Sequence, residues 1–69
     1  MARKELLSNI KTNHQELYNY LIQDSKISSI FNNIENADSG DIYYLNRKIG
    51  KGIGYLGLDY FLTAELRFS

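Results

Sequence analysis

The chain has 69 residues, a mass of 8.0 kDa and a formal net charge of +0, with 43% apolar and 23% charged residues. A length below the usual domain size of about 100 to 150 residues leaves room for one small domain. The chain contains no cysteine, which excludes disulfides, and its single histidine, His14, cannot complete a cysteine-histidine zinc site. A domain this small is expected to gain stability from a partner or from a second copy of itself.

The chain carries no pattern for export or for membrane insertion. The first residues lack the continuous apolar run of a signal peptide, and no stretch of about 20 apolar residues occurs. The absence of cysteine is compatible with a reducing compartment. We therefore expect a cytoplasmic protein without membrane contact.

The first half of the chain has the apolar periodicity of helices. One set of residues at alternating spacings of three and four is Leu7, Ile10, His14, Leu17 and Leu21. A second set of the same form is Ile27, Ile30, Phe31 and Ile34. They predict one helix over about 2–23 and another over about 25–36. On one straight helix the two stripes would diverge by roughly 130°, so we expect a break where Asp24 or Ser25 can cap a new helix.

From residue 41 the pattern favours strands. Aromatic and β-branched residues follow Asp41, and Gly50 and Gly52 suit a tight hairpin. Over 60–68, residues such as Leu66 and Phe68 alternate with Phe61 and Arg67 at the period of a half-buried strand. A helix over 59–68 is the competing interpretation. We predict strands over 42–48, 53–58 and 60–68. The expected fold class is α+β: two N-terminal helices followed by a three-stranded antiparallel β-meander (ααβββ), with the helices packed on one sheet face and the last strand at an edge.

No pattern in the sequence indicates catalysis. His14 has no nucleophile or orienting carboxylate at a suitable spacing, and its place on the apolar stripe favours a buried or boundary residue. The run around Lys51 lacks the spacing of a phosphate-binding loop and is interpreted as a turn. We predict that the protein is not an enzyme and holds no cofactor and no metal.

Tyrosines are the most informative candidates for a binding surface. Four of them, Tyr43, Tyr44, Tyr55 and Tyr60, fall in the predicted sheet. Because neighbours in a strand point to opposite faces, some of these rings should lie on the face that the helices do not cover. Core packing would explain them equally well. A nearby acidic group, Glu35, Asp38 and Asp41, is either a solvated loop or a second contact that imitates phosphates toward a basic partner.

The sequence thus predicts a small non-enzymatic protein-interaction module. Small, neutral, cysteine-free proteins of this kind are common among phage and mobile-element products that block a host enzyme, including anti-CRISPR and other anti-defence proteins, an analogy of fold and size alone. The expected partner is a host protein or complex, bound through the tyrosine-bearing sheet or the edge strand. One alternative is a nucleic-acid-binding regulator that uses a basic hairpin of Arg47, Lys48 and Lys51. Another is a homo-oligomer that sequesters a nucleotide between subunits.

Overall fold

The computed structural model describes residues 2–69 and contains no strand in that range. It is 76% helical, with five α-helices. Their bounds are α1 Arg3–Asn13, α2 Gln15–Ile22, α3 Ser25–Asn32, α4 Ser39–Leu56 and α5 Leu62–Glu65, with a 3-10 turn at Ile34–Asn36. The predicted α+β class and its β-meander are therefore wrong: the fold is all-helical.

The helix predicted over 2–23 is interrupted at His14. This residue has φ −136° and ψ 56°, outside the helical region, and it separates α1 from α2. Hydrogen bonds reach His14 from both sides: its amide donates to the Ile10 carbonyl of α1, and its carbonyl accepts from the Tyr18 amide of α2, at 3.0 and 2.9 Å. The apolar spacing persists through the break and so does not reveal it. His14 itself is partly exposed.

A second break follows at Asp24, where the sequence predicts one. The Asp24 carboxylate caps α3 by accepting hydrogen bonds from the amides of Lys26 and Ile27, at 2.8 and 3.3 Å. This satisfies two amides that the first turn of a helix leaves without partners. Helix α3 ends at Asn32, and the 3-10 turn continues to Asn36, where the second helix was predicted to end.

Helix α4 occupies the region predicted as strands 42–48 and 53–58. Asp38 and Asp41 form a capping box at its start, with each side chain accepting from the other's backbone amide. The side chains that it buries share helical spacing and are at most 6% exposed: Ile42, Leu45, Ile49 and Ile53. The β-branched and aromatic composition favoured strands, but helical burial of these four residues decides the structure.

The glycines predicted to form a hairpin lie inside this helix. A Cβ atom at Gly52 would lie 2.7 Å from Leu17 Cδ1 and 2.8 Å from Tyr20 Cδ1, so the absence of a side chain lets α2 approach α4 closely. The helix ends at Gly57, whose φ of 68° is in the left-handed region that favours glycine. The Leu58 amide then donates to the Ile53 carbonyl at 3.0 Å, which closes the last turn.

The predicted strand 60–68 is also wrong. The segment forms a turn, the short helix α5 and a final non-helical stretch that returns to α4. Asn46 holds that stretch with two hydrogen bonds to the Phe68 backbone: its Nδ2 donates to the carbonyl at 2.7 Å, and its Oδ1 accepts from the amide at 2.8 Å. Leu66 and Phe68 are 1% and 2% exposed. The returning segment is thus anchored in the core.

A shared core joins these elements. Its buried apolar side chains come from α1 to α4, the 3-10 turn and the returning segment. Arg3 links distant parts at the surface: its Nη1 donates to the Ile34 and Ala37 carbonyls at 3.1 and 2.8 Å, and its Nε to Ser69 O at 3.2 Å. Within residues 2–69, no helix has both the length and the apolar character needed to cross a membrane.

Asp24 also connects α3 to α4. The Tyr44 hydroxyl donates to Asp24 Oδ2 at 2.5 Å, and Lys48 Nζ lies 3.3 Å from the same oxygen. Lys26 adds a cation-π contact, with its ammonium 4.6 Å from the centre of the Tyr44 ring. The hydrogen bond from Tyr44 is the main cause that lowers the pKa of Asp24 from 3.8 to about 2, and the amides of Ile27 and Lys26 act in the same direction.

The low pKa of Asp24 gives an acid-stability prediction. Because the folded-state pKa lies below the unfolded value, ionised Asp24 stabilises the fold above about pH 4, and this contribution is lost as the pH falls toward 2. In Asp24→Asn the free energy of unfolding, measured in urea, should fall less over this interval than in the unmodified protein. Glu65→Gln, an exposed position, serves as the control. Identical pH dependence in the unmodified protein and Asp24→Asn would contradict the assignment.

Candidate functional site

The four predicted tyrosines do not form one surface. Tyr43 on α4 and Tyr60 after it are 63% and 83% exposed and line the same groove. Tyr44 belongs to the Asp24 cluster. Tyr55 is 78% exposed and stacks on Tyr20 with ring centres 5.6 Å apart, at a separate depression. The structure therefore brings two of the four together.

The predicted acidic group lies at the start of α4. Asp38 and Asp41 are engaged in the capping box, where the Asp41 amide donates to Asp38 Oδ1 at 2.8 Å. Glu35 is exposed in the 3-10 turn, and its carbonyl accepts a hydrogen bond from Arg3 Nη1 at 3.4 Å. Two of the three carboxylates thus have a local structural role.

The predicted basic hairpin does not exist, because its three residues lie within α4. Lys48 is paired with Asp24. Arg47 and Lys51 are exposed one turn apart on the helix. Of the three, Arg47 alone lines the groove that contains Tyr43 and Tyr60.

That groove is the candidate site, and we call it the α4 groove. It has a volume of about 500 Å³ and lies between one face of α4 and the segment 60–67. Ile49, 1% exposed, is the buried residue at this surface. The nine lining residues are Tyr43, Asn46, Arg47, Ile49, Tyr60, Phe61, Thr63, Ala64 and Arg67.

Three local features position the segment 60–67, which is the second wall of the α4 groove. Gly57 ends α4 in the left-handed conformation, so that the chain reverses direction. Asp59 then accepts a hydrogen bond from the Phe61 amide at 3.0 Å, a side-chain turn that precedes α5. Asn46 finally holds the Phe68 backbone against α4. Both walls of the groove are therefore attached to the core.

Three large aromatic side chains lie at the rim of the α4 groove. Tyr60 is 83% and Phe61 78% exposed, beside Tyr43 at 63%. Exposed phenylalanine leaves apolar surface in water that burial would remove at a gain of about 25 cal/mol per Å². Aromatic residues with this exposure are typical of binding surfaces.

The α4 groove also carries positive charge. The Arg47 guanidinium lies 5.8 Å from the centre of the Tyr43 ring, and its Nη1 donates to the Tyr43 hydroxyl at 3.2 Å. Arg67 lies on the opposite wall. Among the residues that line the groove, no side chain is a carboxylate. The site is thus aromatic, apolar and basic.

Phe61 and Arg67, which line the groove, were not predicted as site residues. The strand prediction placed both on the face opposite Leu66 and Phe68, without an assigned role. One local signal was present: Asp59 lies two residues before Phe61, a spacing that favours a side-chain turn over a continuous strand. The composition of 62–66 also favoured the competing helix.

Comparison with protein-family models, curated proteins and solved structures found no match. Among residues 2–69, histidine and carboxylate side chains do not gather in the groups of three that a metal ion would require. Fold and site together define a small helical protein with an aromatic, basic groove.

Proposed function

We propose that the chain is a non-enzymatic interaction module that binds another protein through the α4 groove. The observation that supports this most strongly is the exposure of Tyr60 and Phe61 at the rim of an apolar groove. A buried aromatic side chain covers about 150 to 250 Å². Covering two such rings would supply a substantial part of the apolar area of a small interface.

A macromolecular partner fits this geometry better than a small ligand. Small-molecule sites enclose most of the ligand surface. Here the rings of Tyr60 and Phe61 are more than three-quarters exposed, so a ligand seated between the walls would leave them largely in water. A protein surface can cover both rings and fill the groove at the same time.

A protein partner is also favoured over nucleic acid. Binding to a phosphate backbone depends on several cationic contacts. Of the three cations once assigned to a basic hairpin, Lys48 is paired with Asp24, and the formal net charge of the chain is +0. Interfaces between proteins are instead enriched in tyrosine, phenylalanine and arginine, which are the residues of this groove.

Capture of the partner with and without Phe61 tests the proposal. Tagged protein is cross-linked in lysate, and the captured species are quantified by mass spectrometry for the unmodified chain, Phe61→Ser and Tyr55→Ser. The two substituted rings are equally exposed, at 78%, but Tyr55 does not line the groove. We expect Phe61→Ser to weaken binding by about 2 kcal/mol, roughly thirty-fold.

Tyr55→Ser should retain the partner. Circular dichroism of both variants establishes that they remain folded. Loss of capture with Tyr55→Ser but not with Phe61→Ser, or equal capture by all three proteins, would place the interaction outside the α4 groove and contradict the proposal.

A further inference from the structure

The charges at the α4 groove are of one sign. Arg47 and Arg67 lie on its two walls, and no carboxylate lines it. Within residues 2–69, neither arginine forms an ion pair; the one ion pair there joins Lys48 to Asp24. An arginine presents five N–H donors in a planar fork that matches a carboxylate. Both arginines therefore have donors available to a bound molecule.

The protein also restrains where these guanidinium groups can lie. Arg47 packs over the Tyr43 ring and donates one hydrogen bond to its hydroxyl, at 3.2 Å, which leaves its other donors unused. Arg67 lies between Leu66 and Phe68, both buried. Arg67 itself is exposed and lines the groove, so its side chain lies on the outer surface between two buried neighbours.

From this charge complementarity we infer that the partner segment is an acidic peptide, with an apolar side chain flanked by aspartate or glutamate. The apolar side chain fills the groove beside Ile49, while the rest of the partner segment covers the rings of Tyr60 and Phe61. The carboxylates pair with Arg47 and Arg67. The inference rests on the proposed function and specifies the chemistry of the segment that the groove binds.

Selection from random peptides tests the inference without a known partner. A displayed library of 12-residue random peptides is selected against the immobilised full-length chain, with parallel selection against Phe61→Ser to identify groove-dependent peptides. We expect those peptides to be enriched in aspartate or glutamate next to an aromatic or aliphatic residue. Enrichment of uncharged or basic peptides, or of no groove-dependent peptide, would overturn the inference.

Substitutions in the peptide and in the protein then test the ion pairs. The best selected peptide is synthesised with a fluorophore, together with a version in which its acids are amides, and binding is measured by anisotropy. We expect about tenfold weaker binding for the amide peptide, for Arg47→Gln and for Arg67→Gln. Lys51→Gln is the matched control: it removes the same charge one turn along α4, outside the groove, and should change binding less than about twofold.

Two further readouts separate the inference from the proposed function. A lysine-bearing peptide that regains binding to Arg47→Glu would support direct pairing. Peptide binding that depends on Phe61 but not on the arginines would overturn the inference and leave the proposed function standing. A 15-nucleotide single strand that binds through Arg47 and Arg67 more tightly than the best selected peptide, with a steep dependence on salt, would overturn both the inference and the proposed function.

Discussion

Replacing Phe68 with alanine should lower the free energy of unfolding by about 3 to 5 kcal/mol. The side chain is 2% exposed and belongs to the common core. Native domains have a stability of roughly 0.05 to 0.15 kcal/mol per residue, which is about 3.5 to 10 kcal/mol for 69 residues, so this loss removes between about a third and the whole of it. We expect a large drop in the urea midpoint of Phe68→Ala, followed by circular dichroism.

Phe61→Ala provides the control for this result. It makes the same chemical change in the same segment, but at a side chain that is 78% exposed. Its free energy of unfolding in urea should stay within about 0.5 kcal/mol of the unmodified protein. Equal stability of the two variants would mean that the returning segment is not anchored in the core, and the second wall of the α4 groove would lose its basis.

The second large effect is expected at the glycines of α4. Replacement of a glycine by alanine inside a helix is favourable by about 1 kcal/mol. At Gly54, a Cβ would meet nothing within 4 Å, so Gly54→Ala should stabilise the protein. At Gly52, the Cβ would lie 2.7 Å from Leu17 Cδ1. Overpacking of this kind costs about 1 to 3 kcal/mol, so Gly52→Ala should be less stable than Gly54→Ala by that amount.

Urea unfolding of these two variants measures the difference between their free energies of unfolding. Because both gain the same helix propensity, this difference is the cost of overpacking at Gly52. Gly50→Ala extends the comparison, since a Cβ there also meets nothing within 4 Å. If Gly50 and Gly52 instead formed the turn of a hairpin, Gly50→Ala would be destabilising as well. Destabilisation at both positions would therefore contradict the helical account of this region.

The N-terminal half follows from its sequence because its signals are local. The stripe around Ile10 and Leu17 has helical spacing, and Asp24 is a strong N-cap residue. The break at His14 does not follow from the sequence, because the apolar spacing continues across it. A polar residue on an apolar stripe was the one local irregularity there.

Helix α4 could not be assigned from local preference alone. Asp38 and Asp41 have capping-box spacing, but the residues around them also suit a turn that ends a helix. Tyr43 and Tyr44 favour strands. What decides the helix is the burial of Ile42, Leu45, Ile49 and Ile53 along one face, together with the close approach of α2 at Gly52. That close approach is a tertiary contact, and no local sequence pattern predicts it.

The candidate site was predicted in part. Tyr43, Tyr60 and Arg47 were identified as possible binding residues, and the structure brings all three to one groove. Phe61 and Arg67 were missed because their proximity to α4 depends on the reversal at Gly57 and on the hydrogen bonds between Asn46 and Phe68, twenty-two residues apart. A pairing over that distance cannot be read from periodicity.

One wall of the α4 groove is a face of α4, so the proposed site depends on residues 39–56 forming one continuous helix. The most direct test is the Cα secondary chemical shift of each residue in this range, measured by NMR on labelled protein. We expect uninterrupted positive values from Ser39 to Leu56, ending at Gly57. Negative values over 42–48 and 53–58, separated by a turn at Gly50 to Gly52, would contradict the claim and restore the sheet that the sequence first indicated.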